Sequence, residues 1–240
     1  MIYSVVNSLE IILLFVMAFL PPIIYAIWIR NTEKYHRERW WPIIFCFIWG
    51  ATIAVIAAII LELILQVSIA PSIEDQNIFG LITAIIIAPF AEELTKPLAL
   101  RFKTVKKELD ELEDGLIYGA VAGLGFSATE NLLYGSTFLT YGLLFFFLLI
   151  MMRSFGGCLL HASATAWTGY GYGRVIMKRT RLIRVVPYFL LAVLVHAFYN
   201  SLLTFETIGV IIGLFGALTF AGITIIIVRK KIKTLDESSG

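Results

Sequence analysis

Residues 41–67 read WPIIFCFIWGATIAVIAAIILELILQV, and Glu62 is the only charged residue among them. As a helix, this stretch is long enough to cross the roughly 30 Å hydrocarbon core of a bilayer. Six further apolar stretches follow the same pattern, at 4–29, 78–100, 115–136, 138–174, 185–205 and 208–228. Because 59% of the 240 residues are apolar, a soluble domain of this length could not bury them. We therefore predict an all-α, polytopic transmembrane helix bundle, with residues 1–240 forming a single integral membrane domain.

The placement of charge predicts how this bundle is oriented. Arg and Lys concentrate in four segments that hold 17 of the 19 basic residues, namely 30–39, 101–107, 174–184 and 229–233. The segments between them carry neither residue, namely 1–9, 68–77, 136–141 and 205–208. Since cytoplasmic loops are enriched in Lys and Arg, we expect the N-terminus outside and the C-terminus in the cytoplasm. This requires an odd number of spans, and seven is the preferred count.

Segment 138–174 is the weak point of that count. A straight helix of this length would measure about 55 Å, which is too long for one span. Arg153 and the Gly156–Gly157 pair lie in its middle. We expect a kinked long helix, or a short re-entrant piece followed by a true span. Eight spans are the alternative, but that count moves one basic cluster to the outside.

Ionisable residues inside the apolar segments indicate a functional site, because each costs roughly 3 kcal/mol on insertion scales. The segment AEELTKP (91–97) contains three of them. Glu92 and Lys96 are four residues apart and can form an ion pair on one helix face. Glu93 points about 100° away and can meet a different partner. An ion pair that only fixes helix packing is the alternative, although such a pair needs no second carboxylate.

The next segment carries a stripe of small residues that ends near another carboxylate. Small residues recur at every fourth position, namely Gly115, Gly119, Gly123 and Ser127. Such a stripe allows a second helix to approach closely. Glu130 lies near its edge, so we expect this helix to be clamped against a neighbour with a carboxylate at the contact.

Two of the three histidines also lie inside apolar segments. His161 is surrounded by small residues, while His196 and Asn200 lie one helical turn apart. The second spacing suits two metal ligands, or a base and an oxyanion donor, or a plain hydrogen-bonded pair between helices. Counted from the cytoplasmic ends, Glu92, Glu130 and both histidines lie about 14–24 Å deep. We therefore expect these side chains to meet inside the membrane.

Four motifs stand in this order along the chain: EELTK (92–96), FSATEN (126–131), His161 with Gly169, and His196 with Asn200. Together they resemble the PrsW family of intramembrane proteases, which is related to CAAX-processing and bacteriocin-immunity membrane proteins. CAAX-type relatives carry a histidine at the position of Glu130, so the PrsW branch fits better. The resemblance implies a cell-membrane protease with its catalytic core in 78–205. Its expected substrate is a membrane-anchored protein such as an anti-sigma-type regulator.

From these residues we expect a catalytic set of Glu92, Glu93, Glu130, His161, His196 and Asn200. In the preferred version a divalent metal, with Zn²⁺ as first choice, is held by His161, His196 and either Glu93 or Glu130. Glu92 is then the general base. In the other version no metal is bound, a glutamate and a histidine activate water, and His196 with Asn200 holds the oxyanion. The expected supporting residues are Lys96, Phe126, Asn131 and Arg153, with Lys96 or Arg153 keeping Glu92 ionised.

Two other function classes remain open. Intramembrane Glu and His can act as proton relays in an ion-coupled transporter, although the two halves show no inverted repeat. A non-catalytic scaffold could bind a partner's span in the same groove. The basic clusters favour anionic lipid head groups rather than nucleic acid, and the sequence carries no signal for an oligomeric state. We expect Glu62 to be structural or interfacial, and residues 234–240 to be a frayed tail.

Overall fold

The computed structural model describes residues 8–205 and 209–239, and in those residues every regular element is helical. The α-helices are α1 (Ser8–Arg30), α2 (Trp40–Trp49), α3 (Val55–Ile69), α4 (Gln76–Ile82), α5 (Ala88–Thr95), α6 (Lys103–Lys106), α7 (Leu112–Leu139), α8 (Leu143–Phe155), α9 (Gly157–Met177), α10 (Val186–Thr204) and α11 (Val210–Ser239). π-Helical turns and 3-10 segments connect several of them, namely Gly50–Ala54, Ala70–Ser72, Thr83–Ile87, Lys96–Arg101 and Leu182–Val185. The predicted all-α class is confirmed. Residues 4–7 and 208 of the predicted spans lie outside the described residues.

Six helical stretches are long and apolar enough to cross a membrane, namely Ser8–Arg30, Trp40–Ser72, Gln76–Arg101, Leu143–Met177, Leu182–Thr204 and Val210–Ser238. Their outward side chains include many exposed Ile, Leu and Val residues, which suits contact with lipid. The chain is therefore a multi-pass membrane protein, as predicted. α7 is not among the six, because its glycine, glutamate and asparagine residues lower its hydropathy. Its 28 residues nevertheless measure about 42 Å as a helix.

The segment predicted to be kinked or re-entrant forms two nearly continuous helices, α8 and α9. The backbone N–H of Gly156 donates to Met152 O over 2.8 Å, and Gly156 O accepts the N–H of Leu160 over 2.9 Å. Helical hydrogen bonding therefore continues through the bend. This is the kinked long helix of the two predicted forms.

α7 and α9 are the buried pair at the centre of the bundle. A Cβ atom added at Gly115, Gly119 or Gly123 would lie 2.5, 2.6 or 2.2 Å from a carbonyl oxygen of α9. No side chain fits at that separation, so the glycines permit the close approach of the two helices. The predicted role of the small-residue stripe is confirmed.

Several loops and helix ends meet at one end of the bundle. The backbone N–H groups of Lys34 and Tyr35 donate to the Asp236 carboxylate over 2.8 and 3.2 Å. The loop between α1 and α2 also contacts the segment before α7. Arg39 forms an ion pair with Glu108, and His36 Nδ1 lies 3.2 Å from Glu111 Oε1. The prediction of a frayed C-terminal tail was wrong, because α11 continues to Ser239 and Asp236 caps these backbone donors.

Candidate active site

The charged segment of the third apolar stretch lies where the helical backbone is irregular. α5 follows the π-helical turn Thr83–Ile87 and continues into the 3-10 segment Lys96–Arg101. Pro89 and Pro97 lie in this region and lack the N–H that a regular helix requires. Both prolines therefore lie where the backbone departs from regular α-helical hydrogen bonding.

Lys96 lies at the centre of the candidate site, although its side chain is fully buried. Its Nζ is 2.7 Å from Glu92 Oε2 and 2.9 Å from Glu93 Oε1. The same ammonium donates to His161 Nδ1 over 2.7 Å and lies 4.3 Å from the centroid of the Phe126 ring. The predicted Glu92–Lys96 pair is confirmed, and Lys96 also binds Glu93.

Glu93 is the most completely bonded carboxylate of the site. Its Oε1 contacts His196 Nδ1 at 3.0 Å, and its Oε2 accepts the Thr165 hydroxyl over 2.8 Å. With Glu93 ionised, Nδ1 is the protonated nitrogen of His196. The Nε2 lone pair of His196 is then available to a ligand.

His161 connects Lys96 to a second ion pair. Because Lys96 donates to Nδ1, the proton of the neutral ring lies on Nε2, which donates to Glu130 Oε2 over 2.6 Å. Arg153 Nη2 is 3.1 Å from the same oxygen, and Arg153 Nε donates to Asn131 Oδ1 over 2.7 Å. Arg153 therefore pairs with Glu130 rather than Glu92, so Lys96 alone of the two suggested cations contacts Glu92.

Two cavities open onto these residues. The larger has a volume of about 640 Å³, and its polar lining consists mainly of Glu92, Glu130, Arg153, His161, His196 and Asn200. Asn200 is held by donation from Nδ2 to Ala84 O over 2.8 Å, in the π-helical turn. The smaller cavity, of about 320 Å³, is lined by Glu62 together with Glu92 and Glu130. Glu62 thus faces the site, where the sequence predicted only a structural or interfacial role.

Four residues could hold a metal ion, and we call them the membrane group: Glu92, Glu93, His161 and His196. One donor atom from each lies within 4.8 Å of the other three. Two carboxylates and two imidazoles suit Zn²⁺, and the outer bonds from Thr165 and Glu130 are of the kind that orient metal ligands. The donor set therefore fits a zinc ion. Lys96 contacts three of the same residues, so its ammonium and an ion would compete for the same donor atoms.

The structure gathers all ten residues singled out from the sequence around one site, but it changes some of their neighbours. Glu130, one of two carboxylates expected as a ligand, bonds the opposite nitrogen of His161 and lies outside the membrane group. Sequence reasoning missed Thr165, although its position four residues after His161 places it on the same helix face. It also missed the Ala84 carbonyl, for which the sequence has no signal because a π-helical turn releases it.

Comparisons with known proteins identify the family and a relative to which this chain is similar. A family model described as "PrsW family intramembrane metalloprotease" matches residues 38–228, a range that includes the whole site. The curated "Protease PrsW" of Clostridioides difficile (strain 630) is 30% identical over 122 residues, covering 50% of each chain. The chain thus spans about half the length of the curated relative it matches. No solved structure matches the chain.

Proposed function

Because the chain belongs to the PrsW family of intramembrane metalloproteases, we propose that it is a peptidase acting on a membrane-anchored protein. The observation that carries this proposal is the buried membrane group at the wall of a 640 Å³ cavity. Hydrolysis of a peptide bond requires an activated water, a polarised carbonyl and a proton for the leaving amine. The site has a candidate for each requirement.

Glu92 is the carboxylate that we assign as general base. It lines both cavities, whereas both oxygens of Glu93 are occupied by neighbouring side chains. Lys96 bonds Glu92 through Oε2, and no hydrogen bond within the described residues occupies Oε1. That oxygen can accept a proton from an attacking water and return it to the leaving amine.

His196 and Asn200 face the same cavity from α10. Asn200 uses one N–H on Ala84 O, and its second N–H can donate to the oxygen of the scissile carbonyl. His196 presents the Nε2 lone pair, which can orient the attacking water. Glu93 and Thr165 hold these groups in position without contacting the substrate.

A zinc ion, when bound, would acidify the attacking water and polarise the carbonyl. The membrane group would hold it, and Lys96 would have to leave the centre of the group. Metal content can be measured by elemental mass spectrometry on protein purified without chelator. About one zinc per chain, lost in His161→Ala/His196→Ala, is the expected result. Metal-free wild type that still cleaves peptides would overturn the metal assignment and leave the peptidase assignment intact.

We further propose the seven-span topology, with the N-terminus outside and the C-terminus in the cytoplasm. The contacts of Asp236 with residues 34 and 35 support it, because they require the α1–α2 loop and the end of α11 to share one side. Without α7, five of the apolar stretches lie between the α1–α2 loop and Asp236. Five crossings would place the loop and Asp236 on opposite sides of the membrane. Counting α7 as a span gives six crossings and seven spans in total. The basic loops then face the cytoplasm.

The peptidase proposal can be tested with purified protein in liposomes that contain a pool of single-span membrane peptides. In H₂¹⁸O, hydrolysis by wild type should create new carboxyl termini that carry ¹⁸O, and Glu92→Gln should create none. Glu108→Gln, which alters an exposed ion pair, is the control. Peptides that are bound intact would support the scaffold class, and ion flux without cleavage would support a transporter.

A further inference from the structure

A second set of carboxylates lies outside the predicted spans, and we call Glu33, Glu38 and Asp114 the loop group. Glu33 and Glu38 belong to the loop between α1 and α2, and Asp114 lies in the first turn of α7. One oxygen from each lies within 4.8 Å of the other two. Glu33, Glu38 and Asp114 are only 1%, 7% and 0% exposed, so their carboxylates are hardly solvated by water.

One oxygen of each carboxylate already has a hydrogen-bond donor. Glu33 Oε2 accepts the backbone N–H of Glu38 over 2.9 Å, and Asp114 Oδ2 accepts two backbone N–H groups over 2.8 and 2.7 Å. Glu38 Oε2 accepts the Tyr118 hydroxyl. In contrast, Glu33 Oε1 and Asp114 Oδ1 are buried and accept no hydrogen bond from any described residue. Buried oxygens are normally hydrogen-bonded, so these two oxygens call for a partner that the described residues do not supply.

The neighbouring arginines donate to backbone oxygens of the loop group rather than to its carboxylates, although the charge of Arg30 acts on Glu33 and Glu38 at longer range. Arg30 donates from Nε to the backbone oxygen of Glu38 over 2.7 Å, and Arg37 reaches the backbone oxygen of Glu33 at 3.4 Å. Among residues 8–205 and 209–239, no ion pair includes any of the three carboxylates. Buried carboxylates without a cation are strongly unfavourable unless they bind a proton or an ion.

We propose that the loop group binds a hard divalent cation of the Mg²⁺ or Ca²⁺ class. Carboxylate oxygens without nitrogen or sulfur donors are the ligands that these ions prefer. The site differs from the membrane group in ligand type, and Asp114 lies 16 residues before Glu130 on α7, which is about 24 Å. A cation here would tie the start of α7 to the loop between α1 and α2.

Bound protons are the competing explanation. Burial raises the pKa of the Glu33 carboxyl to about 8 and that of the Asp114 carboxyl to about 10, and it also raises the pKa of Glu38. The Glu38 and Asp114 side chains are also hydrogen-bonded to each other, which raises the pKa of Asp114 further. If the carboxylates bind only protons, the unfolding free energy of the protein depends on pH alone. If they bind a cation, it also depends on the concentration of that ion. The two explanations therefore differ in a quantity that can be measured at constant pH.

The test is thermal unfolding of the full chain in detergent at pH 8, after divalent ions are removed on a chelating resin. With Mg²⁺ or Ca²⁺ added at about 100 times its Kd, the unfolding temperature of wild type should rise by several degrees. Glu33→Gln and Asp114→Asn should lose this rise. The membrane-group variant Glu93→Gln should keep it, which separates this site from the peptidase site.

Either of two results would overturn the proposal: no rise with either ion in wild type, or a full rise in both loop-group variants. If these variants do not fold, Tb³⁺ supplies a second measurement on wild type, because Tyr118 lies within reach to sensitise its emission. Emission that Mg²⁺ or Ca²⁺ displaces, and that weakens in Tyr118→Phe, supports the site. Emission that neither ion displaces contradicts it.

Discussion

The membrane group and the loop group both contain buried carboxylates, but the negative charge is compensated differently in the two groups. In the membrane, Lys96 bonds Glu92 and Glu93 directly, and Arg153 bonds the adjacent Glu130. Among the described residues, no Lys or Arg side chain forms an ion pair with the loop group, and two of its buried oxygens have no donor. The membrane site thus carries its own cations, which suits a site inside the hydrocarbon region, where an unpaired charge is costly. The loop group lies at the bundle end, where a solution ion or proton can complete it.

α7 connects the two groups and makes the comparison testable. Asp114 lies in its first turn and Glu130 lies in its second half, with the glycines of the stripe between them. A substitution in one group should not alter the contribution of the other group to the unfolding free energy, since sites this far apart behave additively.

The largest effect is expected for Lys96→Met. This substitution removes the lysine cation from the membrane group, so that its carboxylates, like those of the loop group, have no ion pair with a Lys or Arg side chain. Glu92 and Glu93 would remain buried without their cation, so the free energy of unfolding should fall by about 3–5 kcal/mol. Thermal unfolding in detergent measures this loss. Added Zn²⁺ should restore part of it if the metal and the ammonium compete for the same donors. A variant as stable as wild type without zinc would show that Lys96 does not neutralise the site.

A smaller effect is expected for Arg153→Gln. Glu130 keeps His161 as a donor but loses its permanent cation, so we expect a loss of about 2–3 kcal/mol in unfolding free energy. Arg39→Gln is the matched control, because its ion pair with Glu108 is exposed and should contribute less than about 1 kcal/mol. Equal losses in the two variants would contradict the idea that burial makes the difference.

Gly123→Ala should act on the membrane group through the backbone. Its new Cβ would lie 2.2 Å from His161 O, so α7 and α9 must separate, at about 1–3 kcal/mol, and peptide cleavage should decrease. Gly115→Ala, beside Asp114, should instead weaken the cation response of the loop group. Gly80→Ala has open space around the new Cβ and should be neutral or stabilising. If Gly123→Ala, Gly115→Ala and Gly80→Ala changed the cleavage rate equally, the effect of Gly123→Ala would not come from its contact with His161.

The smallest effect is expected for Thr165→Val, which removes one hydrogen bond to Glu93. A loss of about 1 kcal/mol in stability is expected, with a measurable decrease in cleavage because Glu93 orients His196. Thr165→Ser should restore both quantities, since it keeps the hydroxyl. Wild-type stability and cleavage in Thr165→Val, with losses in Thr165→Ser, would assign Thr165 a packing role only.

Much of the architecture could be predicted from the sequence because bilayer thickness imposes a simple length rule. Apolar length located the six long apolar helices, and the spacing of small residues located the α7–α9 contact. The position of Arg153 and Gly156 also marked the bend between α8 and α9. These features depend on local composition and period, which a single sequence displays directly.

The partners within the site were harder to predict, because they depend on helix rotation. The same spacing that placed Lys96 beside Glu92 could not show that its Nζ also reaches Glu93 and His161. Arg153 and Glu130 are 23 residues apart and meet only through tertiary packing. The loop group gave no signal at all, since Glu33 and Glu38 stand among basic residues and resemble a solvated loop. The burial of their oxygens is a property of the folded chain alone.

The central claim is that Glu92 activates water for peptide hydrolysis, and the most direct test compares Glu92→Gln with Glu108→Gln in the liposome cleavage assay. The account predicts that Glu92→Gln lowers the cleavage rate by about 10²–10⁴-fold, while its unfolding temperature stays close to that of wild type because Lys96 retains Glu93. Glu108→Gln should cleave at the wild-type rate. Equal rates for the two variants would contradict the assignment of Glu92 as the base.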